Sequence, residues 1–189
     1  MSAPDLILPG FYGKMPATGD FVARRLPTDF VRGWDRWLAQ NIVPLFGLEA
    51  WPRNLALRFL AGPAFVGPSA GVILQCSDRI GRQFPLIVAA QFSAAPLELA
   101  RADAWFGSIE AAAYAAQRGA LTPDELNMAL AALPAPFPSE DGDLIDDLVI
   151  WTAHSDIFDV DPQAPRETMV QIFVSTRETS RCSRNRDIE

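Results

Sequence analysis

The sequence is poor in the residues on which most site chemistry depends. Histidine occurs once, at position 154, and cysteine twice, at 76 and 182. Two cysteines are too few for a disulfide framework and lack the paired spacing of a zinc site. One histidine with scattered acids supplies no ligand cluster for a metal, and no cofactor motif is present. No apolar run reaches the ~18 residues that cross a bilayer. The first residues, up to Lys14, place no basic stretch ahead of their short apolar run, which argues against a signal peptide. The expected location is the cytoplasm, whose reducing chemistry suits the two thiols. Positive charge is also short. The net charge is −7 and the sequence pI about 4.7, which disfavours nucleic acid and anionic membrane as partners. No internal repeat is present.

What the sequence does hold is a globular composition. Of its 189 residues, 49% are hydrophobic and 21% charged, enough for one well-filled core. Residues 6–13 read as a first strand, and the segment from Gly13 to Asp20 as a loop broken by Pro16 and Gly19. Thr28 is the expected cap of a helix ended by Pro44, with Phe30, Val31, Trp34, Trp37 and Leu38 as its apolar stripe. Residues 55–60, 71–76 and 84–92 are short apolar runs suited to buried strands, the last two joined hairpin-fashion through Gly81. Pro96 opens an alanine-rich helix carrying Leu99, Ala102, Phe106, Ile109 and Ala113, with Gly119 at its C-terminal cap. Thr122, Pro123 and Glu125 form a capping box for the next helix, which stops before Pro134. Residues 134–147 read as an exposed loop, 148–153 as a strand and 168–175, by their alternation, as an edge strand. Interleaved strands and helices predict an α/β fold, a single-domain three-layer sandwich with helices on a central mixed sheet. The domain is expected over residues 1–175, with a disordered tail over 176–189.

Three patterns invite a chemical reading. Gly67 to Gly71 matches the G-x-S-x-G elbow around Ser69, but Pro68 precedes the serine and a strand-like run follows, where the elbow needs a strand and then a helix. Gly13-Lys14 lacks the flanking glycine and the hydroxyl residue of a phosphate loop. Cys76 ends an apolar run, where cysteine is ordinarily a small core residue. A hydrolase using Ser69 or Cys76 with His154 is the alternative function, and it requires His154 beside one of them. The acids Glu140, Asp141, Asp143, Asp146, Asp147, Asp156, Asp159 and Asp161 have no Lys or Arg among them and read first as a solvated segment, with a site for a basic partner, or after that for a divalent cation, as the alternatives.

One combination is specific. GFYGKMPATGDF from Gly10 to Phe21, LPTDFVRGWDRWL from Leu26 to Leu38 and SDRIGRQFPL from Ser77 to Leu86 occur in that order. Together they resemble the type VI secretion system-associated TagF (ImpM) family. The resemblance implies an α/β sandwich without known catalysis, catalytic residues, cofactor or metal. It implies a negative, post-translational regulator of bacterial protein secretion, acting by protein binding to a cytoplasmic secretion component, in some systems a forkhead-associated scaffold protein. The charges of the family-like loops, Lys14, Asp20, Asp78, Arg79 and Arg82, are the candidate partner-binding or loop-supporting residues. Asp20 is expected to pair with Arg79 or Arg82, since buried charges need partners. Gly13, Gly19 and Gly81 are the expected structural glycines, free to take positive φ.

Overall fold

A computed structural model describes residues 8–46, 51, 55–133 and 143–186, with the backbone alone beyond Thr179. Strand residues alternate strictly between two cores. In β3 (Ala56–Ala61), Ala56 and Leu60 face one way while Leu57, Phe59 and Ala61 face the other. The same split runs through β4 (Ser69–Leu74), with Ala70, Val72 and Leu74 against Ile73, and β5 (Leu86–Gln91), with Leu86, Val88 and Ala90 against Ile87 and Ala89. A period of two with both faces apolar demands cover on both sides, and helices supply it.

With β1 (Gly10–Gly13), β2 (Val22–Arg24), β6 (Leu148–Trp151) and β7 (Phe158–Asp159) these strands form a seven-stranded sheet in the order β2-β1-β5-β4-β3-β6-β7. Helices α2 (Asp103–Gln117) and α3 (Pro123–Ala131) cover one face. Helices α1 (Thr28–Trp37) and α4 (Arg166–Arg186) cover the other. This is the expected three-layer sandwich, with one correction. Every strand pair is antiparallel, not mixed. Strands β4 and β5 pair through a tight turn, and the helical segments join strands that are not sheet neighbours, so no parallel crossover arises.

Helix α1 buries Phe30, Trp34 and Trp37, one turn apart along a single stripe, and its acidic Asp29 and basic Arg36 suit the helix dipole. Thr28 is its first residue and not its cap; Pro27, in extended conformation, holds that place with no side-chain cap bond. The chain then winds through a wider π turn at Leu38–Ile42 and a 3₁₀ turn at Val43–Leu45, which keep Leu38, Ile42 and Leu45 buried. The capping box at Thr122 and Glu125 forms as expected. Pro96 caps a 3₁₀ turn at Leu97–Arg101 that precedes α2. The N–H groups of Gly119 and Ala120 close α2 onto the carbonyls of Ala116 and Ala115, the six-to-one and five-to-two pattern of a glycine cap.

Two segments differ from their sequence reading. The edge strand expected over 168–175 is the first half of α4, with Met169, Ile172, Phe173 and Thr176 buried at helical spacing. Residues 176–186, expected as a loose tail, continue that helix. Most of the loop expected over 134–147 lies outside the described residues, as do the side chains of Glu140, Asp141 and Cys182.

Candidate functional site

The chain leaves β1 at Gly13, whose φ of 139° and close approach to the Pro85 carbonyl exclude any Cβ. Lys14 follows, the single lysine of the sequence, and it is buried. Its Nζ lies 3.0 Å from Asp78 Oδ2 and 5.1 Å from the centre of the Phe21 ring. Asp78 stands in the turn between β4 and β5. Its Oδ2 also accepts from Arg82 Nε at 2.6 Å, while its Oδ1 accepts the backbone N–H groups of Ile80 (3.1 Å) and Arg82 (2.9 Å). Gly81, at φ 86°, lets the turn close beneath the carboxylate. One carboxylate thus organises a whole turn and the lysine of a loop 64 residues away.

Two more bonds fasten the loops. The Arg79 N–H donates to the Thr18 carbonyl at 2.8 Å, and Arg82 Nη2 to the Gly19 carbonyl at 2.6 Å. The Thr18 hydroxyl lies within hydrogen-bond reach of both the Met15 and Asp20 carbonyls, 3.1 and 2.9 Å away, which folds the 14–20 loop on itself. Burial alone would raise the Asp78 carboxyl. The bonds from Lys14, the Arg82 N–H and side chain, and the Ile80 N–H outweigh it and hold the group well below the ordinary carboxylate range.

An aromatic cluster lies against this knot. Phe21 stacks on Tyr12 (centroids 5.6 Å apart, 8° between planes) and meets Phe84 edge-on at 4.8 Å. The Tyr12 hydroxyl donates to Asp35 of α1 at 2.5 Å. Burial, then this bond and the charges of Asp35 and Asp20, raise the Tyr12 pKa, so the hydroxyl stays a donor.

The five candidate charges therefore divide. Lys14, Asp78 and Arg82 support the loops. Arg79 and Asp20 are exposed. The expected pairing of Asp20 with Arg79 or Arg82 is corrected: Asp20 Oδ1 accepts the Phe21 N–H at 2.8 Å, and Arg82 pairs with Asp78. The turn geometry decides this, because Asp78 alone can accept from the turn's own amides and both cations at once. Gly19 is also corrected. Gly13 and Gly81 have positive φ, whereas Gly19 does not, and its contribution is the carbonyl that receives Arg82.

A second ionic cluster escaped the sequence reading. Arg58, buried in β3, gives Nε and Nη2 to the two Glu110 oxygens (2.8 and 3.1 Å) and Nη1 to Asp103 at 2.7 Å, above the Phe106 ring. The signal was present: a lone arginine inside a fully apolar strand must meet an acid.

Of the groups named for a hydrolase, Ser69 stands apart from His154 and Cys76 is held as a buried thiol. Ser69 is fully buried at the start of β4, and its hydroxyl donates to the Gly67 carbonyl at 3.1 Å. Through the register it faces Ala61 and then Leu148, whereas exposed His154 follows Trp151 at the far end of β6. Ser69 and His154 thus lie at opposite ends of the sheet. Cys76 is buried, its thiol bonded to the Ser77 carbonyl, and burial pushes its pKa up to about 11, so it stays protonated. Among the described residues, no three His, Cys, Asp or Glu side chains are placed to share a metal ion, and no helix is long and apolar enough to cross a membrane.

The segments that build the knot lie within a region of kinship to known proteins. A family model described as the TagF N-terminal domain, type VI secretion system-associated, matches residues 10–133. The chain belongs to the TagF family. The match runs from β1 through the end of α3 and includes both loops of the knot. Among solved structures, PA0076 from Pseudomonas aeruginosa PAO1, a crystal structure at 2.05 Å resolution, is similar with 28% sequence identity and a TM-score of 0.63. The similarity covers 79% of this chain and 86% of that one. No curated protein matches the sequence. Family membership places the chain among proteins associated with type VI secretion.

Proposed function

We propose that this TagF protein restrains a type VI secretion system after translation, acting in the cytoplasm by binding one of the system's components and not by catalysis. The observation that carries the reading is the knot. The two segments most typical of the family, 64 residues apart at Lys14 and Asp78, fold into one fastened platform whose outer groups face solvent. Loops held this way suit recognition, since a partner need not order them on binding. A forkhead-associated scaffold protein of the secretion system is the candidate partner that the family resemblance implies.

The test is to delete the gene in cells carrying the secretion cluster and to measure secreted substrate. Purified protein is titrated in parallel against the purified scaffold and the other cytoplasmic components. Secretion should rise in the deletion and fall again on complementation, and one component should bind. Unchanged secretion together with no binding to any component would remove this reading.

A further inference from the structure

The knot uses Lys14, Asp78 and Arg82, and three side chains beside it stay open to solvent: those of Arg79 and Ile80, and the outer part of Phe21, whose ring otherwise packs on Tyr12 and Phe84. Ile80, at the tip of the β4–β5 turn, is 70% exposed, and Phe21 is 42% exposed. Arg79 is exposed, and its guanidinium has no carboxylate partner among the described salt bridges. The turn needs the backbone of these residues, not their side chains: Arg79 and Ile80 contribute N–H groups to Thr18 and Asp78. A polar residue at position 80 would serve the turn equally and would spare an apolar side chain its exposure to water.

All three are tied to the same rigid centre. Lys14 lies over the Phe21 ring, and Asp78 holds the Ile80 amide. In a chain of net charge −7, Arg79 is an exposed cation on the turn itself.

Resting on the function proposed above, we infer that Phe21, Arg79 and Ile80 form the docking surface, and that its occupant is a protein segment presenting an apolar side chain next to a carboxylate. The apolar pair supplies the buried area and Arg79 the selection of charge. The carboxylate is favoured over a phosphate by the number of free cations. A phosphate dianion calls for two or more, while Lys14 and Arg82 are already engaged with Asp78 and only Arg79 is open.

The experiment places a photocrosslinking phenylalanine analogue at position 80, and separately at Met128, a 70% exposed control on α3, in the full chain in cells carrying the secretion cluster. The crosslinked peptide is identified by mass spectrometry. The inference predicts a secretion component crosslinked from position 80 and not from 128, through a peptide containing Asp or Glu beside an apolar residue. Ile80→Glu should weaken binding of that component by roughly tenfold or more, with an unchanged melting temperature. Arg79→Glu should abolish the crosslink, and reversing the identified partner acid to Lys should restore it. Capture from position 128 alone, loss of the crosslink on phosphatase treatment, or a crosslink to a second copy of this chain would overturn the inference while leaving the regulatory reading intact. Capture of a secretion component from neither position, with none bound by the purified protein, would overturn both.

Discussion

The two ionic clusters are near mirror images, and they do different work. At the loop knot one carboxylate, Asp78, serves two cations, Lys14 and Arg82. In the interior one cation, Arg58, serves two carboxylates, Glu110 and Asp103. For Arg58, burial alone would lower its pKa, but Glu110 and then Asp103 outweigh that and raise it. The Arg58 cluster joins α2 to the middle of the sheet, with the arginine itself buried. The Asp78 cluster joins two loops at one end of the inner strands and is bordered by Phe21, Arg79 and Ile80. One fastens the fold and the other fastens a surface.

The largest effect is expected at Arg58. Replacing it with Ala strands Glu110, whose side chain is only 13% exposed, and should cost about 3–5 kcal/mol of stability, measured by chemical denaturation. A loss below 1 kcal/mol would show that the interior cluster is not structural. Lys14→Met should lower the melting temperature by a smaller amount, since Arg82 still holds Asp78. A loss equal to that of Arg58→Ala would make the knot a core element and erase the distinction drawn here.

The Asp78 carboxyl is held below its ordinary value of 3.8, so its contribution to stability is fully present above that pH. It is lost as pH falls from there towards the depressed folded value. Asp78→Asn should therefore flatten the stability profile below about pH 4 and leave its shape near neutrality unchanged. An identical acid limb in the variant and the parent would contradict the assignment. The smallest effect belongs to Asp103→Asn. Its side chain is 81% exposed, and such a pair is worth under ~1 kcal/mol.

The two clusters were not equally legible in the sequence. The loop charges stand beside glycines and turn signals, so their place on adjoining loops was readable. Which carboxylate would hold the cations was not, because Asp20 and Asp78 look alike until the turn amides of Ile80 and Arg82 are in place. Arg58 was overlooked inside a run that otherwise reads as plain core. Its partners on α2 stand at 103 and 110, flanking Phe106 along the side of the helix that meets the sheet.

Elsewhere the errors came from competing periods. Val170, Ile172 and Val174 alternate as a strand would, while Met169, Ile172, Phe173 and Thr176 mark a helical stripe. The helix prevails because no glycine or proline interrupts the chain from Arg166 to Arg186, and because the helical stripe meets the sheet face beside Trp51. Strand β2 was missed because three residues, two of them exposed, give too short a pattern.

The division between supporting and free groups is tested most directly by hydrogen exchange at the amides of Arg79, Ile80 and Arg82, compared with those of the 14–20 loop. In the parent these amides should be protected. Lys14→Met should speed exchange in both loops together, although they are far apart in sequence, and Arg79→Glu should leave both as they were. Faster exchange in one loop alone after Lys14→Met, or equal loosening by Arg79→Glu, would contradict the account.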